Sequence, residues 1–276
     1  MSSIKLGYVV ATPELDWDES VTAYQGDTET AFRKLRDLAY DGAELMIRDP
    51  DRLDRGMFEK LSQRYGIEIP ALCTGEVFGQ DRLSFMDPDE GVRDQAVRRL
   101  RKIIDFASAF GAQVNIGRLR GQFHPRIPRE RSLAWMYSAL GVVTDYAAPR
   151  GVTLTIEPIP RVEWNNIFNN RDGIEVVKRI GRENFRLMAD VFAMNIEERS
   201  IAESFQDARA YLAHIHISDS NRLAPGGGNM DFVRIAAAVR AIKYQGYISA
   251  ELIQFPNQDE AMETTIRVLR PLFRVH

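Results

Sequence analysis

The sequence predicts a closed barrel of eight parallel strands surrounded by helices, a (β/α)8 or TIM barrel. One pattern recurs along the chain, an amphipathic helix followed by a glycine and a short apolar strand, as in YDGAELMI, RYGIEIPAL, AFGAQVNI, PRGVTLTI and YQGYISAEL. Alternating strands and helices are typical of a parallel sheet. Eight such units in 276 residues fit a single barrel domain spanning residues 1–276. An open doubly wound sheet is the alternative, but no glycine-rich phosphate-binding motif follows the first predicted strand.

Each element follows from a local signal. Predicted strands span residues 4–11, 43–47, 67–72, 112–116, 152–156, 185–189, 214–217 and 247–252, where apolar and β-branched residues cluster. The first helix begins at the capping residue Asp27, repeats apolar residues at Ala31 and Leu35, and is ended by Gly42. Further helices are predicted over residues 56–65, 91–110, 129–148, 172–180, 201–211, 232–244 and 261–272. We predict a long polar loop over residues 74–90.

Composition limits the class of function. Hydrophobic residues make up 45% and charged residues 27%, as in an ordinary globular enzyme. The net charge of -3 gives no electrostatic reason to expect nucleic acid as a partner. No apolar run approaches the roughly 18 residues of a membrane helix, and the N-terminal segment lacks a signal-peptide pattern. The lone cysteine, Cys73, excludes an intrachain disulfide, so we expect a cytoplasmic protein.

Chemistry-bearing side chains end four consecutive predicted strands. Glu157 follows the fifth strand, Asp190 the sixth and Glu251 lies near the end of the eighth, while His216 lies near the end of the seventh. These strand ends meet at one face of a (β/α)8 barrel, which is where such enzymes place their active sites. Three carboxylates and one imidazole suit Mn²⁺, Mg²⁺ or Co²⁺ better than a thiolate zinc site. The sequence therefore predicts one divalent metal ion at this face.

The segments EPIPRVE, ADVFAMNIEE, HIHISDSNRLAPGGG and ISAEL resemble those of the xylose isomerase-like barrels. The most similar branch contains the D-tagatose 3-epimerases, D-psicose epimerases and hydroxypyruvate isomerases. The resemblance implies that Glu157, Asp190, His216 and Glu251 bind the metal and that the two glutamates are also the acid/base pair. It further implies a dimer or tetramer acting on a small sugar-like molecule. Glu163 and Arg222 match positions that hold substrate oxygens.

A metal of this kind would chelate a carbonyl and an adjacent hydroxyl and stabilise an enediolate. One glutamate removes the proton. Its return to the same carbon from the opposite face gives an epimer, and its return to the neighbouring carbon interconverts an aldose and a ketose. The sequence leaves both outcomes open, for a sugar, a sugar phosphate, a sugar acid or a keto acid.

Two features depart from the family pattern. Ala193 stands where the epimerases typically have a histidine, three residues after the aspartate of the sixth strand, which puts ketohexose 3-epimerisation in doubt. Arg118 and Arg120 follow the fourth strand, where a pair of arginines can bind a carboxylate or phosphate bidentately. We therefore hypothesise an acidic or phosphorylated substrate, the alternative being that one or both arginines pair with neighbouring carboxylates. His124 is a further candidate at the mouth of the site, or else an ordinary loop histidine.

Three other functions compete with the isomerase hypothesis. A metal-dependent lyase or dehydratase of the inosose or dehydroshikimate type uses the same enediolate chemistry. Endonuclease IV resembles this barrel, but its histidine-rich trinuclear zinc site fits poorly with a chain of four histidines and an acidic charge balance. A non-catalytic sugar-binding protein is disfavoured because the predicted metal-binding set is complete.

Overall fold

The predicted (β/α)8 architecture is confirmed. The structure, a computed structural model, describes residues 4–273. In this range the strands form one closed, all-parallel barrel in chain order, and the last strand pairs back to the first. The strands are β1 (Lys5–Ala11), β2 (Gly42–Met46), β3 (Ala71–Cys73), β4 (Gln113–Ile116), β5 (Leu154–Ile156), β6 (Phe185–Asp190), β7 (Leu212–Ile217) and β8 (Tyr247–Ala250).

Helices cover the outside of this barrel. They are α1 (Thr28–Asp37), α2 (Arg55–Tyr65), α3 (Gly75–Gly79), α4 (Glu90–Ser108), α5 (Arg129–Ala147), α6 (Asn170–Ile180), α7 (Val191–Glu197), α8 (Ile201–Ala208), α9 (Phe232–Ala241) and α10 (Gln258–Phe273). Their apolar faces pack on the outward-facing strand residues to form the main hydrophobic core. Within residues 4–273, no helix combines the length and the apolar character that crossing a membrane requires.

The elements differ from the predictions at several places. The predicted loop over residues 74–90 contains α3, and α7 follows β6 directly, where no helix was predicted. The third strand begins at Ala71 and not at residue 67, because Pro70 has no N–H to offer to a sheet ladder. The first helix ends at Asp37, before the predicted end at Gly42, and Ala39 takes the left-handed conformation (φ 55°) beyond it.

Part of the barrel interior is polar, and this part positions the site. Side chains alternate along a strand, so His214 and His216 of β7 both point inward. Glu44 from β2 and Ser249 from β8 enter the same interior layer, and all four side chains are fully buried. Above this layer, towards the carboxyl ends of the strands, the interior opens into a cavity.

Candidate active site

A cavity of about 310 Å³ lies at the carboxyl ends of the strands. Glu157 follows β5 directly, Asp190 is the last residue of β6, and Glu251 follows β8 directly; all three line the cavity. His216, one residue before the end of β7, is fully buried beneath it. The structure thus brings the four predicted metal ligands to one end of the barrel.

Glu157, His216 and Glu251 form the tightest group, because one ligand atom from each lies within 4.8 Å of the others. His216 Nδ1 is 3.1 Å from Glu251 Oε2 and 3.5 Å from Glu157 Oε1. Among the described residues this nitrogen makes no hydrogen bond of acceptable geometry, although it is buried. The opposite ring nitrogen, Nε2, lies 2.9 Å from Glu44 Oε1.

This arrangement fits a bound cation. An ionised carboxylate only accepts hydrogen bonds, so Nε2 of His216 donates to Glu44, and in the neutral form of the imidazole Nδ1 then carries a lone pair. That lone pair faces two carboxylates, which are acceptors as well. Three acceptors directed at one another are stable only with a positive charge among them. Two carboxylates and one imidazole are a suitable donor set for a divalent ion such as Mn²⁺, Mg²⁺ or Co²⁺.

Asp190 borders this group without joining its tightest cluster. Its Oδ1 accepts from the Phe192 backbone N–H at 2.9 Å, and its Oδ2 pairs with the Arg222 guanidinium. The second guanidinium nitrogen pairs with Glu251 Oε2, and the cation also lies over the Phe192 ring at 4.9 Å. Arg222 therefore ties the ends of β6 and β8 together at the edge of the site.

Burial and charge perturb these groups strongly. Burial alone raises the pKa of Glu251, but Arg222 and His216 outweigh it and bring the pKa to about 2. Burial lowers the pKa of His216, yet the carboxylates of Glu44 and Glu251 raise it well above its ordinary value. Burial raises the pKa of Asp190 despite its Arg222 partner. The site thus concentrates negative charge that a cation stabilises.

Glu157 is held from β4 and from the loop that follows it. Asn115 on β4 donates from Nδ2 to Glu157 Oε2 at 2.7 Å. A Cβ atom at Gly117 would stand 2.8 Å from that same oxygen, so glycine leaves the space the carboxylate occupies. Arg120 donates to the Glu157 backbone carbonyl at 2.8 Å. Glu157 consequently has a fixed place at the end of β5.

The five predicted substrate-contacting residues separate into two groups. Glu163, Arg222 and Arg118 line the cavity, and Arg118 is paired with Glu76. Burial raises the pKa of Glu163. Arg120 and His124 do not belong to the described cavity lining.

The expectation that Arg120 binds substrate needs correction. Its side chain is fully buried, and it donates to Asn166 Oδ1 and to backbone carbonyls of four residues, namely Gly117, Glu157, Asn166 and Ile167. The guanidinium therefore joins the loop after β4 to the loop after β5 and has no free face for a ligand. His124 is a half-buried loop residue whose Nδ1 accepts from the Arg126 backbone N–H at 3.2 Å.

Sequence analysis missed Glu44, Asn115 and Gly117. Glu44 is the acidic residue of the fully buried strand GAELM, and a carboxylate in such a strand signals a buried partner. Asn115 lies on β4 level with Cys73 of β3 and Met46 of β2, one inward position closer to the cavity than Glu44. His214, predicted as a buried interior histidine, is fully buried and lies 2.7 Å from Glu44 through Nε2.

Comparison with known proteins supports the fold. The family model described as xylose isomerase-like TIM barrel matches residues 32–272. L-ribulose 3-epimerase of Methylomonas sp. (strain DH-1) is 30% identical over 237 residues, which cover 85% of this chain and 81% of that protein. The 3-dehydro-D-guloside 4-epimerase of Escherichia coli (strain K12) is 25% identical over 238 residues, covering 80% and 85%.

A crystal structure of D-allulose 3-epimerase from Methylomonas sp. in complex with D-allulose shares the fold, with a TM-score of 0.81, 22% identity and coverage of 99% and 98% of the two chains. The chain therefore belongs to the xylose isomerase-like TIM-barrel family, in the branch of the ketose 3-epimerases, which are isomerase-class enzymes.

Proposed function

We propose that the protein is a divalent-metal-dependent epimerase that inverts C3 of a free ketose. The observation that carries the proposal is the pair of carboxylates, Glu157 and Glu251, that converge on Nδ1 of His216 at the floor of the cavity. The similarity to L-ribulose 3-epimerase supports the same reaction class.

The residues of the site would have two roles, metal binding and proton transfer. Glu157, His216, Glu251 and Asp190 would hold the metal, which, when bound, polarises the substrate carbonyl and the neighbouring hydroxyl and makes the C–H between them acidic. One glutamate, as its carboxylate, would take the C3 proton as general base, and the other, as its carboxylic acid, would deliver a proton to the opposite face of the same carbon. Proton exchange with solvent then restores both protonation states. The atoms balance, since one C–H bond breaks and one forms, with no gain or loss of water or electrons.

Charge in the cavity favours a neutral sugar over a phosphate or a sugar acid. The lining contains five carboxylates, Glu76, Glu157, Glu163, Asp190 and Glu251, and the two guanidinium groups of Arg118 and Arg222. Both arginines are already paired with carboxylates. Even with a divalent ion bound, the five carboxylates outweigh the positive charges of the lining, so no excess of positive charge is available to bind a phosphate. A cavity of about 310 Å³ is at the small end of ligand sites, suited to a molecule of sugar size.

The test is proton exchange in deuterated water. Enzyme loaded with Mn²⁺ is incubated with L-ribulose or D-allulose, and NMR follows deuterium entry at C3 together with the appearance of the epimer. Glu157→Gln and Glu251→Gln are expected to lose about 10²- to 10⁴-fold in rate, with bound metal quantified in parallel because both side chains are also proposed ligands. Glu68→Gln, a change in an ion pair with Lys5 outside the cavity, serves as the control.

Other outcomes would replace the proposal. Loss of water from the substrate would favour the lyase alternative. Exchange confined to sugar phosphates or sugar acids would restore the anionic-substrate hypothesis. Stoichiometric metal without exchange on any ketose would contradict epimerisation.

A further inference from the structure

We propose that Glu44 is a positioning residue for His216: its one carboxylate fixes both interior histidines in the Nε2–H tautomer, so that His216 presents a bare Nδ1 to the cavity. The inference rests on the proposed metal site and adds a residue below it. Glu44 lies in the middle of β2, one interior layer below the cavity, and it is not part of the cavity lining.

The first step concerns burial. The Glu44 side chain is 0% exposed, and a carboxylate in that position is unstable unless several strong donors surround it. The structure supplies two such donors from β7. His214 Nε2 is 2.7 Å from Glu44 Oε2, and His216 Nε2 is 2.9 Å from Glu44 Oε1. Each carboxylate oxygen thus has its own imidazole.

The second step concerns the tautomers. Because a carboxylate accepts and does not donate, both Nε2 atoms must carry a hydrogen. His214 Nδ1 is then an acceptor, and Gln113 Nε2 lies 2.7 Å from it, in position to donate. Gln113, His214 and Glu44 form a chain of hydrogen bonds that ends on His216. Each imidazole nitrogen and carboxylate oxygen in this chain of hydrogen bonds has a protein hydrogen-bond partner, except His216 Nδ1. That nitrogen faces the cavity carboxylates.

The third step concerns what another residue at position 44 would do. A glutamine of the same shape offers one acceptor oxygen and one donor nitrogen, so it cannot accept from both imidazoles. It also lacks the negative charge that makes a coordinating histidine more basic. Partners of this kind behind a metal-ligating histidine are worth roughly 10- to 100-fold in metal affinity.

The experiment compares metal binding in the wild type, Glu44→Gln and the control Ser249→Ala. Ser249 Oγ lies in the same buried layer, 3.1 Å from His214 Nε2, and its removal leaves the contact between Glu44 and His216 in place. Calorimetric titration with Mn²⁺ gives the affinity, and the visible spectrum of bound Co²⁺ reports the ligand field. We expect Glu44→Gln to bind at least tenfold more weakly with an altered Co²⁺ spectrum, and Ser249→Ala to behave as the wild type does.

A measurement on the unaltered protein covers the case in which Glu44→Gln does not fold. In Mg²⁺-loaded wild type, the ¹⁵N shifts of the imidazole rings identify the protonated nitrogen, and we expect Nε2–H for both His214 and His216. A His216 ring with its hydrogen on Nδ1 would overturn the inference. So would a folded Glu44→Gln protein with wild-type affinity and an unchanged spectrum, and that result would leave the epimerase proposal standing. A wild type that binds no metal would instead contradict both proposals.

Discussion

Arg118 and Arg120 are separated by one residue, yet their side chains lie in different environments. Arg118 lines the cavity and pairs with Glu76, while Arg120 is fully buried and donates five hydrogen bonds. Burial lowers the pKa of Arg120 to about 9. The motif IGRLRG indicates two cations near the site, but it does not show which guanidinium is buried in the protein, because four of the five acceptors of Arg120 come from the loop after β5.

This difference gives a prediction for matched substitutions. Lysine has three donors where the Arg120 guanidinium makes five hydrogen bonds, so at least two hydrogen bonds to a charged donor are lost, at about 1.5–3 kcal/mol each. We expect Arg120→Lys to lower the free energy of unfolding by about 3 to 6 kcal/mol, measured by urea denaturation. Arg118→Lys, at a partly exposed pair, should change it by less than about 1 kcal/mol. Equal effects of the two substitutions would contradict the assigned roles.

Residues at strand ends were easier to predict than residues within strands. The positions of Glu157, Asp190 and Glu251 at the cavity could be predicted, because a carboxylate directly after an apolar strand is unusual and the barrel brings these strand ends together. Glu44 lies 170 residues before its partner His214, and nothing local to GAELM indicates that pairing. Interior partners of this kind depend on strand register, which the sequence alone does not provide.

At the scale of elements, the alternation of strands and helices was sufficient to predict the barrel, whereas short helices after strands were missed. The segment α7 is seven residues long and begins at Val191, and the side chain of the preceding Asp190 accepts from the Phe192 N–H as its N-cap. The motif ADVFAMNIEE therefore supplies a cavity-lining carboxylate and a helix start with the same residue. Ala193, the departure from the family pattern, is buried in this helix and lies outside the described cavity lining.

The loop between β7 and α9 carries Arg222 into the site, and Asp219 organises that loop. Its carboxylate accepts from the backbone N–H groups of Ser220 at 2.7 Å, Gly226 at 2.8 Å and Met230 at 3.2 Å. Burial raises its pKa, but these backbone donors outweigh burial and hold the pKa below the ordinary value of 3.8. The folded protein therefore binds this proton more weakly than the unfolded chain, and Asp219 stabilises the fold above that value and less as the pH falls through the lowered pKa.

Replacing this carboxylate gives the second prediction. We expect Asp219→Asn to lower the free energy of unfolding by about 1–3 kcal/mol near neutral pH, because the amide nitrogen presents a donor to backbone donors. Below about pH 4, the variant should lose less additional stability than the wild type does. The substrate KM should rise since Arg222 is less firmly placed. Thermal melts between pH 3 and 7 measure the first effect. Asp231→Asn, at the N-cap of α9, removes a charge from the same loop and serves as the control. It should leave the free energy of unfolding nearly unchanged, since Asn and Asp cap equally well.

At the scale of the whole molecule, the site depends on strands that are far apart in sequence. Glu157 and Glu251 extend from β5 and β8, and His216 with its partner Glu44 bridges β7 and β2 across the interior. The carboxylates converge on one another around a single imidazole, and Arg222 offsets part of their charge. A metal ion that binds only when the barrel is closed would therefore stabilise the entire fold.

The final prediction measures this coupling. At a hundredfold excess of Mn²⁺ over its dissociation constant, binding to the folded state alone contributes about 2.7 kcal/mol. For a chain of this size that corresponds to a Tm increase of about 5 to 10 °C, reversed by EDTA. Glu251→Gln with His216→Ala removes two of the proposed ligands and should abolish the increase, whereas Glu68→Gln should retain it, because Glu68 pairs with Lys5 outside the cavity. An equal increase in all three proteins would place the ion elsewhere, and none in the wild type would mean that the buried acceptors around His216 are stabilised by a proton instead.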